Sequence, residues 1–200
     1  MIELYSGTPG SGKSLHVARQ ICDHLRAGHP VLANFGMRKD KMTHGNMFTE
    51  LEWDQLEPDL LTEFARVWWS THRKREDSIL LVIDEAQIIF NSRDFARKDR
   101  MPWLTWFAQH RKWGYKVVLV AQYDRMLDRQ IRALIEYEWL HRKVSNFGIK
   151  GWLLSLLFLG KLHVAVKMWP PLREKVGSEF FVARPRYFKL YDTYKDFTAR

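Results

Sequence analysis

Short apolar runs alternate with amphipathic stretches along most of this 200-residue chain. The runs at 79–83 and 117–121 contain no polar residue, which is typical of strands buried on both faces of a parallel sheet. A similar run begins the chain, and a more polar one lies near 137–142. The pattern predicts strands at residues 2–6, 31–34, 79–83, 117–121 and 137–142.

Helical spacing of apolar residues separates these strands. Gly28 and Pro30 end the first predicted helix, and Pro58 divides the stretch 50–75 into two predicted helices. Because helices join successive strands, the order implies right-handed crossovers and a mainly parallel sheet. Residues 36–48 carry glycine, asparagine and several charges, and we interpret them as a surface excursion. The predicted helices lie at 15–27, 50–75, 102–112 and 126–134.

The last quarter of the chain has a different pattern. Residues 162–168 alternate between apolar and polar positions, and 180–182 predict an edge strand. We therefore expect a three-layer α/β core at residues 1–145. A small β-rich C-terminal extension of the same domain is expected at 146–200.

The most apolar stretch of the sequence runs from Trp152 to Leu159. It is far shorter than the ~20 residues that a helix needs to cross a bilayer. We expect it to pack in the core or against a partner, with contact to a membrane surface as the alternative.

The first loop carries a phosphate-binding pattern, G-x-x-x-x-G-K-[ST], at residues 7–14. Its glycines let the backbone turn N–H groups inward around phosphates, and Lys13 adds a charge for the β and γ oxygens. Ser14 lies at the first turn of a helix, where its hydroxyl can bind Mg²⁺. A strand precedes the loop and a helix follows it, so the sequence predicts a P-loop NTPase. The expected nucleotide-binding residues are Gly7, Thr8, Pro9, Gly10, Ser11, Gly12, Lys13, Ser14 and Leu15.

Two adjacent carboxylates, Asp84 and Glu85, follow the apolar run 79–83. The carboxyl ends of parallel strands form the ligand-binding edge of such sheets, so both acids should face the phosphate loop. Asp84 would hold Mg²⁺, and Glu85 would polarise the attacking water. The alternative is that the pair only caps the next helix.

Gln122 ends the next strand in the corresponding place, where its amide could contact the γ-phosphate or position the water. Transition-state charge on the γ-phosphate usually requires an arginine, which multimeric motors supply from the next subunit. Arg111 is the first candidate, with Arg97 and Arg100 as the others. Each of these residues has a plain alternative, a turn for the glutamine and a solvated surface for the arginines.

Composition adds two constraints. The net charge of +9 suits nucleic acid or an anionic membrane surface. The single cysteine, Cys22, cannot form an internal disulfide and is expected to be a small buried apolar residue. We expect no secretory signal, because the first strand begins at residue 2, and no transmembrane segment.

The sequence also indicates which nucleotide is bound and which class of protein uses it. No Asn-Lys-x-Asp element for guanine occurs, so ATP with Mg²⁺ is favoured over GTP. A small-molecule kinase would not need the acid pair. The main alternative is a nucleotide-switched, single-stranded nucleic-acid-binding or scaffold protein with little turnover, which the charge and nine tryptophans favour. Most of these aromatic residues fall at helical spacing and are expected in the core.

The assembled residues resemble the zonular occludens toxin-like family, the assembly ATPases of filamentous phages. The resemblance spans nearly the whole chain, and the joint order of its motifs is more specific than any one of them. It is carried by the strand and loop at 2–14, the segment 81–87, His110-Arg111 before Gly114 and the strand ending at Gln122, and the terminal segment 187–193.

The resemblance implies a cytoplasmic ATPase domain at the bacterial inner membrane that couples hydrolysis to virion export. It implies a homo-oligomeric ring, phage coat proteins and inner-membrane assembly proteins as partners, and single-stranded phage DNA as a further candidate. Family members commonly continue into a transmembrane helix and a periplasmic segment. We expect neither within these residues, and the toxin activity associated with that part is not carried over.

Overall fold

A computed structural model describes residues 1–93, 99–184, 187 and 189–191, with only the backbone of Lys150. Within these residues, eight strands form one sheet in the order β3-β2-β4-β5-β1-β6-β7-β8. The first six are parallel, and β7 and β8 are antiparallel additions at one edge. The strands are β1 (Ile2–Ser6), β2 (Val31–Ala33), β3 (Phe48–Glu50), β4 (Ile79–Ile83), β5 (Tyr115–Val120), β6 (Tyr137–Lys143), β7 (Leu162–Trp169) and β8 (Glu174–Val182).

Helices cover both faces of the sheet and complete the three predicted layers. Along β4, alternate residues such as Leu81 and Leu80 belong to opposite cores, which explains its unbroken apolar run. Helix α1 packs on one face, while α2, α3 and α4 pack on the other. The helices are α1 (Lys13–Arg26), α2 (Pro58–Thr71), α3 (Arg100–Gln109), α4 (Arg129–Ala133) and α5 (Gly148–Leu156). The α/β class with a mainly parallel sheet is confirmed.

Strand β1 lies between β5 and β6, near the middle of the eight-stranded sheet. In the register, Tyr5 pairs with Val120, and Leu119 pairs with Ile83. The carboxyl ends of β1, β4 and β5 therefore lie side by side at one edge of the sheet. Residues that follow these strands converge there, as the sequence predicts.

Two details of the chain before β4 differ from the sequence prediction. Pro58 does not divide two helices; it is the first residue of α2, where its missing N–H costs nothing. Before it, residues 53–55 form only a single 3₁₀ turn, closed by a capping box between Glu52 and Gln55. The expected surface excursion at 36–48 ends in β3, a short strand that the sequence pattern did not reveal.

The C-terminal part is a continuation of the same sheet, since β7 and β8 extend it beyond β6. The strands expected at 162–168 and 180–182 are present, with β8 at the edge. Helix α5 was not expected in a β-rich extension. The boundary near residue 145 stays a prediction. No helix in the described ranges combines the length and apolarity needed to span a bilayer.

Three predictions about burial have clear outcomes. Cys22 is buried, as expected, and Trp103 and Trp106 belong to the core. The prediction that Trp152 to Leu159 packs in the core is wrong, because the large apolar side chains of this stretch are exposed. The buried residue of the stretch is Ser155 instead.

Candidate nucleotide site

The phosphate loop joins β1 to α1 through backbone conformations that require glycine. Gly7, Gly10 and Gly12 have φ angles of 144°, 73° and 99°, in the region that L side chains rarely adopt. A Cβ on Gly7 would lie 2.6 Å from the carbonyl oxygen of His141, and one on Gly12 would lie 2.8 Å from Nδ1 of His163. The neighbouring strands thus enclose the loop closely.

Lys13 is half-buried at the first position of α1. Its Nζ donates to the carbonyl oxygens of Gly7 at 2.5 Å and Thr8 at 3.3 Å, so the ammonium lies over the loop. Burial lowers the pKa of Lys13, and the nearby charges of Glu85 and Asp84 oppose that shift. The cation is therefore held between the loop and the acid pair.

Asp84 comes directly after β4 and is buried. Its N–H donates to the side-chain oxygen of Asn34 at 2.6 Å, and the Asn34 amide donates to its carbonyl at 3.1 Å. Burial raises the pKa of Asp84 to about 6, the charge of Glu85 adds to this, and Lys13 together with the Glu85 N–H opposes it. Asp84 is thus mostly ionised at pH 7 and fixed through its backbone.

Glu85 has a φ of 45°, an uncommon conformation for a residue with a side chain. It turns the chain away from β4, and its carboxylate accepts a hydrogen bond from the side-chain amide of Gln87. The alternative role of the acid pair, capping a helix, is wrong, since residues 84–89 form turns and no helix begins there. Such strained residues often occur at active sites.

The loop, the acid pair and Gln122 surround one cavity of about 460 Å³. Gln122 also fixes the loop, because its carbonyl accepts from the N–H of Gly7 at 3.1 Å. An adjoining cavity of about 630 Å³ lies on the other side of the loop and includes Gly7 and Thr8. The predicted site residues that line the first cavity are Pro9, Gly10, Ser11, Gly12, Lys13, Ser14, Leu15, Asp84, Glu85 and Gln122.

Residues that were not predicted from the sequence also line this cavity. Lys143 at the end of β6 and Lys161 before β7 bring two further cations to it. His163 donates from Nδ1 to the carbonyl of Ser11 at 3.0 Å and so supports the loop from β7. The sequence signal that could have found Lys143 is its position directly after the predicted strand 137–142, since the carboxyl ends of parallel strands lie at the same end of the sheet.

The residues present fit a nucleotide phosphate and Mg²⁺. The glycines of the loop hold its backbone at positive φ, and the buried Oγ of Ser11 within it has no hydrogen-bond partner among the described residues. Ser14 and Asp84 provide oxygen ligands, the type that Mg²⁺ prefers. Both residues line the same cavity as Lys13, so cation and metal ligands could act on one phosphate group.

Arg111 lies at the end of the sheet where the parallel strands begin, opposite the end that carries the phosphate loop. It forms an ion pair with Glu136 at 2.7 Å, and Glu136 also accepts from the N–H of Ile2 at 3.2 Å. Ile2 begins β1, whereas the phosphate loop comes after Ser6 at its other end. Arg111 therefore does not reach the cavity of its own subunit, and its role as a finger acting on a neighbour stays a prediction.

Of the other candidate arginines, Arg100 is held in an ion pair. It donates from Nε to Asp128 at 2.9 Å, and Asp128 caps α4 through the N–H of Gln130. This pair links the start of α3 to α4 away from the phosphate loop. Arg97 lies outside the described residues.

A pair of buried histidines supports the loop from beneath. His141 Nδ1 lies 3.1 Å from the carbonyl of Ser6 and 2.8 Å from that of Trp139, so it carries the proton and donates. Its Nε2 then accepts from Nδ1 of His16 at 2.9 Å. Burial lowers the pKa of His16 to about 3 and that of His141 to about 4. Both rings are therefore neutral at pH 7.

These histidines predict a loss of stability in mild acid. Their unfolded pKa is about 6.5, so below that pH the unfolded chain binds protons that the folded chain does not. At pH 5 each should lower the free energy of unfolding by roughly 2 kcal/mol, partly offset by roughly 1 kcal/mol from Asp84, whose pKa is raised. Urea unfolding at pH 7 and pH 5 measures the difference.

A variant separates this effect from other titrations. His16→Gln keeps a donor toward His141 but does not titrate, so the fall in stability between pH 7 and pH 5 should shrink by roughly 2 kcal/mol. His72→Gln, at an exposed histidine, should leave the fall unchanged. An undiminished fall in His16→Gln would refute the assignment.

The sequence matches known proteins over nearly its whole length. The profile of the zonular occludens toxin (Zot) family matches residues 1–196. The chain is 28% identical over 207 residues to the Gene 1 protein of Enterobacteria phage M13, with 97% of this chain and 59% of that protein aligned. It is 28% identical over 160 residues to the putative assembly protein ORF301 of Pseudomonas phage Pf3, covering 70% and 48%. The chain thus spans less than two thirds of these relatives.

Solved structures show the same fold at lower identity. The N-terminal domain of zonular occludens toxin from Neisseria meningitidis aligns with a TM-score of 0.58 and 19% identity, over 96% of this chain and 98% of that one. The genome packaging NTPase B204 from Sulfolobus turreted icosahedral virus 2, solved with ATP-gammaS, aligns with a TM-score of 0.54 and 12% identity, over 92% and 97%.

Proposed function

The chain belongs to the zonular occludens toxin family, and we propose that it is the ATP-binding and ATP-hydrolysing motor domain of a filamentous phage assembly and export protein. One observation carries the proposal: phosphate loop, Lys13, acid pair and Gln122 line a single cavity. The phage relatives support the assembly role, since one is described as a putative assembly protein. The proposed location is the cytoplasmic face of the bacterial inner membrane.

The residues of the cavity divide the chemistry among them. Loop N–H groups and Lys13 hold the β- and γ-phosphates, and Ser14 with Asp84 would hold Mg²⁺, which neutralises phosphate charge when bound. Glu85 takes a proton from water as the water oxygen attacks the γ-phosphorus. The bond to the β-phosphate oxygen breaks, and ADP and phosphate are released. Gln122 orients the water.

The acid pair has two environments that suit two roles. Asp84 is buried and fixed by Asn34, as expected of a residue that positions a metal ion. Glu85 is more exposed and is held by a single side-chain amide, so its carboxylate can turn toward the phosphate. This division favours Glu85 as the general base.

A homo-oligomeric ring would complete the site. The described lining of the cavity contains lysines but no arginine, whereas Arg111 lies exposed at the opposite edge of the sheet. In a head-to-tail assembly, that edge of one subunit can face the nucleotide edge of the next. Arg111 would then stabilise charge on the neighbour's γ-phosphate. Phage coat proteins, inner-membrane assembly proteins and single-stranded phage DNA are the proposed further partners.

Mixing two inactive variants tests the arrangement in trans. Arg111→Ala and Lys13→Ala should each lack turnover, yet a mixture should regain partial ATPase activity, because an intact phosphate loop can meet an intact arginine. Phosphate release across mixing ratios measures the rescue. Glu136→Gln is the matched control: it breaks the same ion pair but keeps Arg111, and it should stay active. Absence of rescue at every ratio contradicts the trans role.

The proposed function is tested by measuring phosphate release together with solution mass, with and without ATP and Mg²⁺. We expect turnover that rises with protein concentration and an increase in mass when ATP is present. Salt-dependent binding of single-stranded DNA without phosphate release would instead favour the nucleotide-switched binding or scaffold protein. ATP consumption only with a small-molecule acceptor would favour a kinase.

A further inference from the structure

Helix α5 is oriented with its small residues inward. Gly151 and Ser155, one helical turn apart, are the buried positions among the helix residues whose side chains the structure describes. A Cβ on Gly151 would overlap the carbonyl oxygen of Val144, so glycine allows α5 to lie directly on the turn before it. The large apolar residues left exposed are Phe147, Ile149, Trp152, Leu153, Leu154, Leu156, Leu157, Phe158 and Leu159.

The extent of this exposure is unusual. Leu157 and Leu159 are 79% and 80% exposed, and Ile149 is 79% exposed. Surface helices of soluble proteins normally bury an apolar stripe and expose polar residues, the reverse of the arrangement in α5. Contiguous apolar surface of this kind indicates an interaction site.

The distribution of the exposed apolar residues around α5 indicates which kind of partner covers them. At 3.6 residues per turn, the exposed apolar positions from Trp152 through Ile149 to Leu154 span roughly 200° of the circumference. A protein groove covers one stripe of a helix, at i, i+3, i+4 and i+7 spacing. A lipid environment contacts all exposed sides at once, and Trp, Phe and Leu are the residues that interfacial helices insert.

Charge around the helix supports an anionic lipid. No acidic residue occurs between Glu138 and Glu174 in the sequence, while six basic residues do. Arg142 and Lys143 are exposed just before α5, and Lys161 is exposed just after it. Basic residues that flank an apolar segment are placed to meet anionic headgroups as the segment inserts.

We propose that α5 and the residues around it, 147–159, insert into the headgroup region of an anionic lipid bilayer and hold this domain on the membrane surface. The inference rests on the proposed function only in identifying the membrane as the bacterial inner membrane. It adds which residues of the domain contact that membrane. The segment lies on the bilayer and does not cross it.

Vesicle flotation tests the proposal with the 200-residue chain. We expect the chain to float with vesicles of phosphatidylethanolamine and phosphatidylglycerol, and to bind phosphatidylcholine vesicles or anionic vesicles in high salt at least tenfold less. Leu153→Asp with Leu157→Asp should reduce flotation at least tenfold. Leu172→Asp with Val176→Asp is the matched control, since these exposed apolar residues lie at the far end of the β7–β8 hairpin and should not matter.

Several results would overturn the proposal. They are absence of flotation at any phosphatidylglycerol content, equal binding to neutral vesicles, or equal flotation of the two double variants. A change from oligomer to monomer in Leu153→Asp with Leu157→Asp, without vesicle binding by the parent chain, would assign α5 to a second copy.

The controls keep this test separate from the proposed function. Lys13→Ala should float like the parent chain. ATP binding of the Leu153→Asp, Leu157→Asp variant, measured without vesicles, should be unchanged, which also shows that it is folded. Flotation without any ATPase activity would leave the membrane contact standing and remove the motor assignment; activity without flotation would do the opposite.

Discussion

Replacing Lys13 by alanine is expected to weaken ATP binding at least 100-fold and to abolish measurable turnover. The ammonium already lies over the loop carbonyls in a half-buried position, whereas the other two lysines of the cavity, Lys143 and Lys161, are exposed and lie on other elements. Charge-assisted hydrogen bonds contribute roughly 1.5–3 kcal/mol each, and two bonds to phosphate oxygens account for the loss. Titration with a fluorescent ATP analogue and a phosphate-release assay measure the two effects.

The control is Lys112→Ala, which removes an exposed lysine near the opposite edge of the sheet. It should bind ATP like the parent chain. Thermal unfolding of both variants without nucleotide shows whether the fold is intact. ATP affinity within a few-fold of the parent in Lys13→Ala would remove the phosphate-loop assignment.

Glu85→Gln is expected to lower the hydrolysis rate by about 10²- to 10⁴-fold while leaving ATP binding within a few-fold. Glutamine has the same shape and can keep the hydrogen bond with Gln87, but its amide cannot accept a proton from water. The positive φ at this position is as tolerable for glutamine as for glutamate. Single-turnover hydrolysis and equilibrium binding, measured on one preparation, separate the two steps.

Asp84→Asn provides the internal comparison. It should weaken Mg²⁺-dependent binding of ATP, because Asp84 is the proposed metal ligand. Unlike Glu85→Gln, it should not slow hydrolysis while leaving ATP binding intact. Glu57→Gln, at an exposed position before α2, controls for the change of charge. Normal hydrolysis by Glu85→Gln would move the base to another residue.

Much of the site could be predicted from the sequence because its parts are local. The phosphate loop is one continuous segment, and Asp84 with Glu85 comes directly after an apolar run that only a central strand explains. Parallel strands end at one edge, so the meeting of these segments in one cavity resulted from topology. The catalytic roles of the residues stay predictions.

The supporting contacts could not be predicted in the same way. Asn34 holds Asp84 from 50 residues away, and His163 reaches the loop from 152 residues away, distances over which sequence spacing carries no information. The position of Arg111 could have been predicted from the sequence. A residue that precedes a parallel strand lies at the opposite end of the sheet from the residues that follow that strand. The exposure of the large apolar side chains of α5 could not be predicted, because an apolar run has the same sequence whether its side chains point inward or outward.

The sheet changes direction between β6 and β7, and this reversal brings α5 to the same edge as the phosphate loop. Arg111 lies at the other end of strands that are about 16 Å long at ~3.3 Å per residue. If these strands stood upright on a bilayer, every Arg111 of a flat ring would lie that far from its neighbour's γ-phosphate. A membrane contact and a trans-acting arginine can operate together only if the strands lie nearly parallel to the lipid plane, each domain pointing at the next around the ring.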